Sequence, residues 1–342
     1  MKAMILKSVI DLENNTEPLE MSDLPKPIPA GNEVLLKVLA CGICHTELDE
    51  IEGRTPPPRY PVVPGHQVIG IIESTGNGVT TLTKGARVGV AWIFSACGRC
   101  SFCLTGYENL CSGFVATGRD VNGGYAEYMT VPESYAFPIP GVFTNSQAAP
   151  LLCAGAVGYR AVKLSGLKNG SNIGLTGFGA SAHIVLQIVK YRYPGSKVFV
   201  FARHENERAF AKELGAFWTG DSTDDVPDQL DCIIDTTPAW KPVVEALKNL
   251  KPGGSLIINA IRKEDTDKNQ LLNLDFSEHL WKEKHIRSVA NVTRKDVSEF
   301  LRLASELPIL PEFREYKLEQ ANTALLEMKK GKIRGAKVLV MD

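Results

Sequence analysis

From about Ser171 onward, strand-like and helix-like stretches alternate, and no other feature of this 342-residue chain constrains its fold as tightly. "NIGLT" precedes a helical stretch at Ala180–Lys190, "KVFVFA" precedes "ENERAFAKELGA", and "DCIIDTT" precedes "WKPVVEALKNLKPGG" and then "SLIINAI". Successive parallel strands need a crossover between them, and crossover helices cover the faces of the sheet. The alternation therefore predicts an α/β unit, a doubly wound parallel sheet with helices on both sides. Beyond about residue 290 come helical stretches at "RKDVSEFLRLASE" and "LEQANTALLEMKKGK" and a closing strand, "AKVLVM".

The first part of the chain reads differently. "EVLLKVLAC", "PVVPGHQVIGIIEST", "ARVGVAWIF" and "YAEYMTVP" have strand chemistry punctuated by Gly, Pro and Asn, and helical periodicity is scarce. Helical spacing begins at "NSQAAPLLCAGAVGYRAVKLSG", which stops at Gly166.

Inside the alternating region, "GFGASA" sits between a strand and a helix and matches G-x-G-x-x-G/A as Gly177, Gly179 and Ala182. Gly177 permits a tight turn, Gly179 lets the backbone approach a pyrophosphate, and Ala182 lets helix and strand pack closely. The helix N-terminus offers unpaired N–H groups to the phosphates. A carboxylate about 20 residues on would bind the adenosine ribose of NAD. Phe201 and Ala202 occupy that region, and Arg203 follows, with Glu205 close by. A guanidinium pairs with a 2′-phosphate that a carboxylate would repel. Arg203 thus favours NADP(H), with NAD(H) as the alternative.

The formal net charge of −1 gives no electrostatic case for nucleic acid or an anionic membrane as partner. At 44% apolar and 23% charged, the composition argues against long disorder. The opening "MKAMILKSVIDLENN" reads as a strand whose apolar run is broken by Lys7 and Asp11, not as a signal peptide, and no apolar run approaches a membrane span. A cytoplasmic location is expected, where thiols stay reduced. That bears on "CGRCSFCLTGYENLC", which packs Cys97, Cys100, Cys103 and Cys111 into fifteen residues. Four soft thiolates at C-x2-C-x2-C-x7-C suit a closed tetrahedral structural zinc. A ferredoxin-like cluster would want C-x3-C-P, and Ser112 follows Cys111 instead.

Cys41, Cys44, Cys153 and Cys232 remain. "CGICHTEL" places His45 and Thr46 beside Cys44, "PGHQVIG" holds His66, and "LLCAG" holds Cys153. Two cysteines, one histidine and an open fourth position make a catalytic zinc set. Spacing alone cannot assemble residues this far apart. Cys232, within "DCIID", reads as a buried small hydrophobe, and Cys41 is ambiguous.

Together, "CGICHTEL", "PGHQVIG", "CGRCSFCLTGYENLC", "GGYAEY", "LLCAGAVGYRA" and "KGKIRGAKVLV" resemble the zinc-containing medium-chain alcohol dehydrogenases over essentially the whole chain, the shorter bacterial and yeast-like members above all. The resemblance implies a GroES-like β-barrel catalytic domain built from residues 1–153 and 291–342, with a Rossmann domain, 154–290, between them. It assigns Cys44, His66 and Cys153 to a catalytic zinc and the four-cysteine lobe to a structural one, two zinc per chain, and leaves Cys41 outside. It implies that Thr46 takes the alcohol proton, that Glu47 stands where the family has an Asp bonded to the ligand histidine, and that Asp49 stands where many members end a proton relay with a His. Gln67 replaces a Glu that can approach the metal. His45 and Arg334, the latter in "KIRG", match residues on the cofactor's phosphate side. Trp92 and Ile51 match substrate-facing positions, Trp92 narrowing the pocket near the metal and Ile51 widening it further out.

The implied activity is reversible hydride transfer between a nicotinamide cofactor and a primary alcohol or its aldehyde, medium and aromatic tails included. A homo-dimer or homo-tetramer is implied, with apolar strand edges such as "SLIINAI" pairing across subunits. Two other readings remain. A zinc-free quinone or enoyl reductase of the same superfamily would lack the cysteine ligands and the four-cysteine lobe. A non-catalytic nucleotide-binding protein that keeps zinc for folding draws its weight from Gln67 and Asp49. Zinc content separates the three: two, none and one per chain.

Overall fold

The computed structural model describes residues 1–307, 309–331 and 334–341. The chain divides into two units, one of Met1–Cys153, Val292–Ser305 and Pro311–Asp342, the other of Ala154–Asn291 and Glu306–Leu310.

In the second unit, six strands form a parallel sheet in the order Trp218–Gly220, Lys197–Phe201, Asn172–Thr176, Leu230–Asp235, Leu250–Ile258, His285–Ser288. By sequence this is 3-2-1-4-5-6, so the order reverses between Asn172–Thr176 and Leu230–Asp235, which pair in register from Ile173↔Cys232 to Thr176↔Asp235. The strand period of two explains the two covered faces. Val198, Val200, Cys232 and Ile234 join one apolar core with Val185 and Val189 of the Ala180–Arg192 helix, whereas Phe199, Phe201 and Ile233 join another with Val243 and Leu247 of the Lys241–Lys248 helix. Cys232 is 1% exposed, a small core side chain as expected.

The expected strand edge lies elsewhere in the sheet. "SLIINAI" is not an edge: Leu250–Ile258 is paired on both sides, with Leu230–Asp235 and with His285–Ser288. Apolar patterning reports burial, and burial is greatest for interior strands of a covered sheet. The two edges are Trp218–Gly220 and His285–Ser288, and all four residues of the latter are exposed.

The first unit is built on a seven-stranded sheet in which all pairs but one are antiparallel. Its long strand Glu33–Ile43 is almost continuously buried and pairs with Gln67–Thr75, Tyr128–Pro132 and Ala336–Val340. The register Gly42↔Gln67 places the residues that follow Ile43 beside those that precede Gln67. Cys44 and His66, far apart in sequence, are thereby brought to neighbouring strand ends. The helical stretch near residue 150 forms three pieces: Asn145–Pro150, a π-helical turn Leu151–Gly155, and Ala156–Ser165, which ends at the left-handed Gly166 (φ 67°). Among the described residues no helix is long and apolar enough to cross a membrane.

Glu133 ties a loop of this unit to the sheet. Its carboxylate accepts from the backbone N–H of Thr80 (3.1 Å) and Leu82 (2.8 Å) and from Thr81 Oγ1 (2.7 Å). These bonds, the Thr81 hydroxyl first, lower its pKa from 4.5 to about 2. A folded-state pKa below the unfolded one adds stability above about pH 4.5, lost as pH falls through about 2. Glu133→Gln is therefore expected to melt at a lower temperature than wild type at pH 7. The gap should close between about pH 4.5 and 2; a gap constant over that range in thermal melts would refute the assignment.

Candidate metal centre and cofactor loop

The centre is organised by one short helix, His45–Ile51. Cys44 is its N-cap: the thiol sulfur accepts from Thr46 N–H (3.3 Å) while Glu47 Oε2 accepts from Cys44 N–H (2.8 Å), a reciprocal capping box. The other Glu47 oxygen, Oε1, lies 2.6 Å from His66 Nδ1, with both side chains essentially fully buried. A single carboxylate thus fixes the helix start and orients the imidazole so that Nε2 faces the two sulfurs. Outer-shell carboxylates of this kind set the tautomer of metal-binding histidines.

His66 follows Gly65, whose φ of +97° favours glycine. A Cβ at Gly65 would lie 2.3 Å from the Tyr125 ring and 2.9 Å from Cys41 Sγ. Cys41 is fully buried there as packing. Cys153 comes from the π-helical turn Leu151–Gly155; such turns recur at functional sites because they re-aim a side chain.

His66 Nε2 stands 3.5 Å from Cys44 Sγ and 3.3 Å from Cys153 Sγ. In a tetrahedral zinc site with Zn–S near 2.3 Å and Zn–N near 2.0–2.1 Å, sulfur and nitrogen sit about 3.5 Å apart. The residues therefore fit a zinc ion. Burial opposes charge on His66, but the Glu47 carboxylate and Cys44 outweigh it and raise the imidazole pKa. The hydrogen bond shared with Cys153, and then burial, push the Cys44 thiol up. A divalent cation is the charge that favours thiolate in such a place.

Cys97, Cys100, Cys103 and Cys111 form the second cluster. The sulfurs of Cys97 and Cys103 are 3.9 Å apart and those of Cys100 and Cys103 3.6 Å. A disulfide would bring them to about 2.0 Å. Tetrahedral zinc–thiolate geometry requires about 3.8 Å. Backbone N–H groups of Arg99 and Cys100 point at Cys97 and lower its pKa to about 6, and Gly113 N–H donates to Cys111 Sγ (3.2 Å). At Cys103 burial and then the Cys100 thiol act the other way and raise its pKa to about 12, so a cation is what would draw all four to thiolate.

In the second unit, Gly177 lies between the Asn172–Thr176 strand and the Ala180–Arg192 helix with φ +76°, and its N–H bonds to Phe201 O (2.8 Å). Gly179 is the helix N-cap, with open space where a Cβ would stand, and Ala182 is fully buried against the sheet. These are the three positions that a dinucleotide turn requires. The next strand ends at Phe201, Ala202 is buried, and Arg203 and His204 are exposed, Arg203 Nε contacting His204 Nε2 at 3.3 Å.

Residues 30–141 match the alcohol dehydrogenase GroES-like domain family. Over 332 residues, 96% of this chain and 94% of the relative, the sequence is 40% identical to the probable alcohol dehydrogenase AdhA of Mycobacterium tuberculosis. It is 34% identical to an alcohol dehydrogenase of Geobacillus stearothermophilus, over 94% of this chain and 95% of that one. The chain belongs to the zinc-containing medium-chain alcohol dehydrogenase family. It is thus an oxidoreductase of the NAD(P)-dependent alcohol dehydrogenase class, with a GroES-like domain and a Rossmann domain. The fold agrees with that of acetophenone reductase from Geotrichum candidum in complex with NAD (TM-score 0.85, 27% identity, 99% of this chain and 97% of that one).

For this alcohol dehydrogenase the remaining expected residues fall as follows. Thr46 is buried on the first turn of the His45–Ile51 helix, beside exposed His45. Asp49 is buried one turn on, its Oδ1 2.5 Å from Arg54 Nε. Trp92 is half-buried, its ring tilted against Phe114 with centroids 5.1 Å apart, and its buried indole N–H has no partner among the described residues. Ile51 is 0% exposed at the helix end, so it reaches no accessible surface. Gln67 is buried, and its Nε2 has no hydrogen-bond partner among the described residues. Arg334 is exposed and pairs with Glu312; Lys332 and Ile333 of the same motif lie outside the described residues. The sequence reading overlooked Arg54, whose signal is a lone cation shortly after a run of acidic residues. It also overlooked Tyr125, the wall that Gly65 leans on.

Proposed function

We propose that this enzyme is zinc-dependent, holds one catalytic and one structural zinc per chain, and interconverts primary alcohols and aldehydes with NADP(H) in preference to NAD(H). The observation that carries the reading is the convergence of Cys44 Sγ, His66 Nε2 and Cys153 Sγ, with Glu47 bound to the far side of the imidazole. Three protein ligands leave a fourth position open for substrate.

Zinc held there would supply Lewis acidity towards the substrate oxygen, and the nicotinamide would carry the hydride. The protein's own residues have separate tasks. Glu47 occupies the Nδ1 side of His66 and leaves Nε2 aimed at the sulfurs. Thr46 Oγ1 is the proposed acceptor of the alcohol proton. Asp49, one helical turn away and held by Arg54, is its next station. Trp92 lines the alcohol side and excludes water, which suits substrates with medium or aromatic tails.

Gly177, Gly179 and Ala182 receive the pyrophosphate and Arg203 the 2′-phosphate. The proposed assembly is a homo-dimer or homo-tetramer, and the exposed His285–Ser288 strand leaves one sheet edge open to pairing. The proposed location is cytoplasmic, where the eight cysteines, all free, stay reduced.

Metal analysis together with a panel of short, branched and aromatic aldehydes tests the reading. Two zinc per chain and NADPH oxidation with at least one aldehyde class are expected. A protein that binds no zinc, or one that oxidises neither NADPH nor NADH with any aldehyde, would overturn it.

A further inference from the structure

Beneath the Gly177 turn lies a buried charge pair. Asp235 ends the Leu230–Asp235 strand with a side chain 0% exposed, and Lys263, beyond the Leu250–Ile258 strand, has one 8% exposed. Two buried charges carry a desolvation cost that only close pairing and full hydrogen bonding offset. Both conditions hold. Lys263 Nζ donates to Asp235 Oδ2, to the Thr237 carbonyl (2.8 Å) and to the Ala239 carbonyl (2.9 Å), which uses all three of its donors. Asp235 Oδ1 accepts from Thr176 Oγ1 (2.6 Å), Thr237 Oγ1 (2.7 Å) and Thr237 N–H (3.3 Å).

The position of this network matters as much as its completeness. Thr176 and Asp235 are register partners on the two strands between which the sheet order reverses. In sheets of this kind ligands bind outside the carboxyl ends of the strands at that reversal. Further bonds join the two segments that leave the strand ends: Asn259 N–H to Asp235 O (2.7 Å), Glu264 N–H to Pro238 O (2.7 Å), and the Asp267 carboxylate to Trp240 N–H (2.9 Å) and Lys241 N–H (2.8 Å). The Gly177 turn rests on the result, since a Cβ at Gly177 would lie 2.9 Å from Thr237 Cγ2 and 3.0 Å from Thr236 Oγ1.

We propose that Lys263 and Asp235 are positioning residues for the dinucleotide: by drawing the Thr237 and Ala239 carbonyls onto one ammonium, they hold the floor on which the Gly177 turn takes its phosphate-binding shape. This rests on the nicotinamide cofactor reading above. A purely structural pair could be replaced by apolar side chains without loss of binding. A positioning pair could not, because apolar side chains restore packing but not the hold on the carbonyls.

The test is the double variant Asp235→Leu/Lys263→Met, with NADPH binding followed by nicotinamide fluorescence in the absence of substrate. Lys263→Met alone leaves a buried carboxylate uncompensated and is expected to lose thermal stability. The double variant should recover a melting temperature near wild type yet bind NADPH about tenfold more weakly, the scale on which outer-shell supports act at other ligand sites. Its KM for NADPH should rise in parallel, with kcat at saturating cofactor retained. Wild-type stability together with wild-type NADPH affinity would overturn the proposal. Should the double variant fail to fold, Thr237→Val decides: it keeps the volume and removes one bond to Asp235, so unchanged NADPH affinity overturns the proposal and weakened affinity at an unchanged melting temperature supports it. Wild-type protein that binds neither NADPH nor NADH would sink the underlying cofactor reading as well.

Discussion

Cys44→Ser is expected to cut kcat/KM by about 10³-fold or more while the protein stays folded. Lewis-acid stabilisation is worth several kcal/mol, and each 1.36 kcal/mol is about a factor of ten in rate. A serine hydroxyl is a shorter, harder and neutral donor than a thiolate, so the three-ligand set loses one member. The same substitution is mild for folding because of where Cys44 sits. It caps the His45–Ile51 helix through its sulfur, and serine is among the best N-cap residues, so the bond from Thr46 N–H and the reciprocal bond to Glu47 both survive. The four-cysteine lobe has its own ligands and does not depend on Cys44. The variant should therefore retain one zinc per chain, with a near-native circular dichroism spectrum and melting temperature. Turnover close to wild type, or two zinc retained, would remove the metal chemistry from this site.

What could be read from the chain depended on how local each signal was. The four-cysteine lobe lies within fifteen consecutive residues, so the clustering of its thiols was visible from spacing. Alternating strand and helix patterns likewise announced a parallel sheet and four of its six strands, because each period is written into a short stretch; Trp218–Gly220 and His285–Ser288 were not foreseen. Cys44, His66 and Cys153 are another matter. They meet because Gly42 pairs with Gln67 and because a π-helical turn re-aims Cys153, and neither fact has a sequence period. Only resemblance to a family joined them beforehand. Sheet neighbours were also hidden: "SLIINAI" looks like a strand equally well in the interior or at an edge, and one true edge, "HIRS", is too short and polar to stand out. Asp235 and Lys263 left a trace, an acid closing an apolar strand and a lysine just beyond the next, but pairing them required the parallel register.

Arg203→Ala is expected to weaken NADPH by about 10- to 100-fold and NADH by no more than about twofold. A hydrogen bond to a charged group is worth about 1.5–3 kcal/mol, and only NADPH carries the 2′-phosphate that would accept it. The surroundings favour that partner. The strand ends in Phe201 and Ala202, which bring no carboxylate to the ribose, and the first acid, Glu205, already belongs to the following helix, Glu205–Glu213. Arg208 is committed to the Ala202 (2.7 Å) and Arg203 (3.2 Å) carbonyls, which fixes the backbone of the strand end and leaves Arg203 as the exposed guanidinium there. Exposure brings a second, independent signature. An ion pair open to solvent is screened as salt rises, so the wild-type preference for NADPH should shrink at high ionic strength, while the variant's weaker preference should hardly change. Titration of both cofactors by nicotinamide fluorescence at low and high salt measures the two effects together. Equal losses for NADPH and NADH would mean that Arg203 supports the loop rather than reads the phosphate, and a wild-type preference indifferent to salt would point the same way.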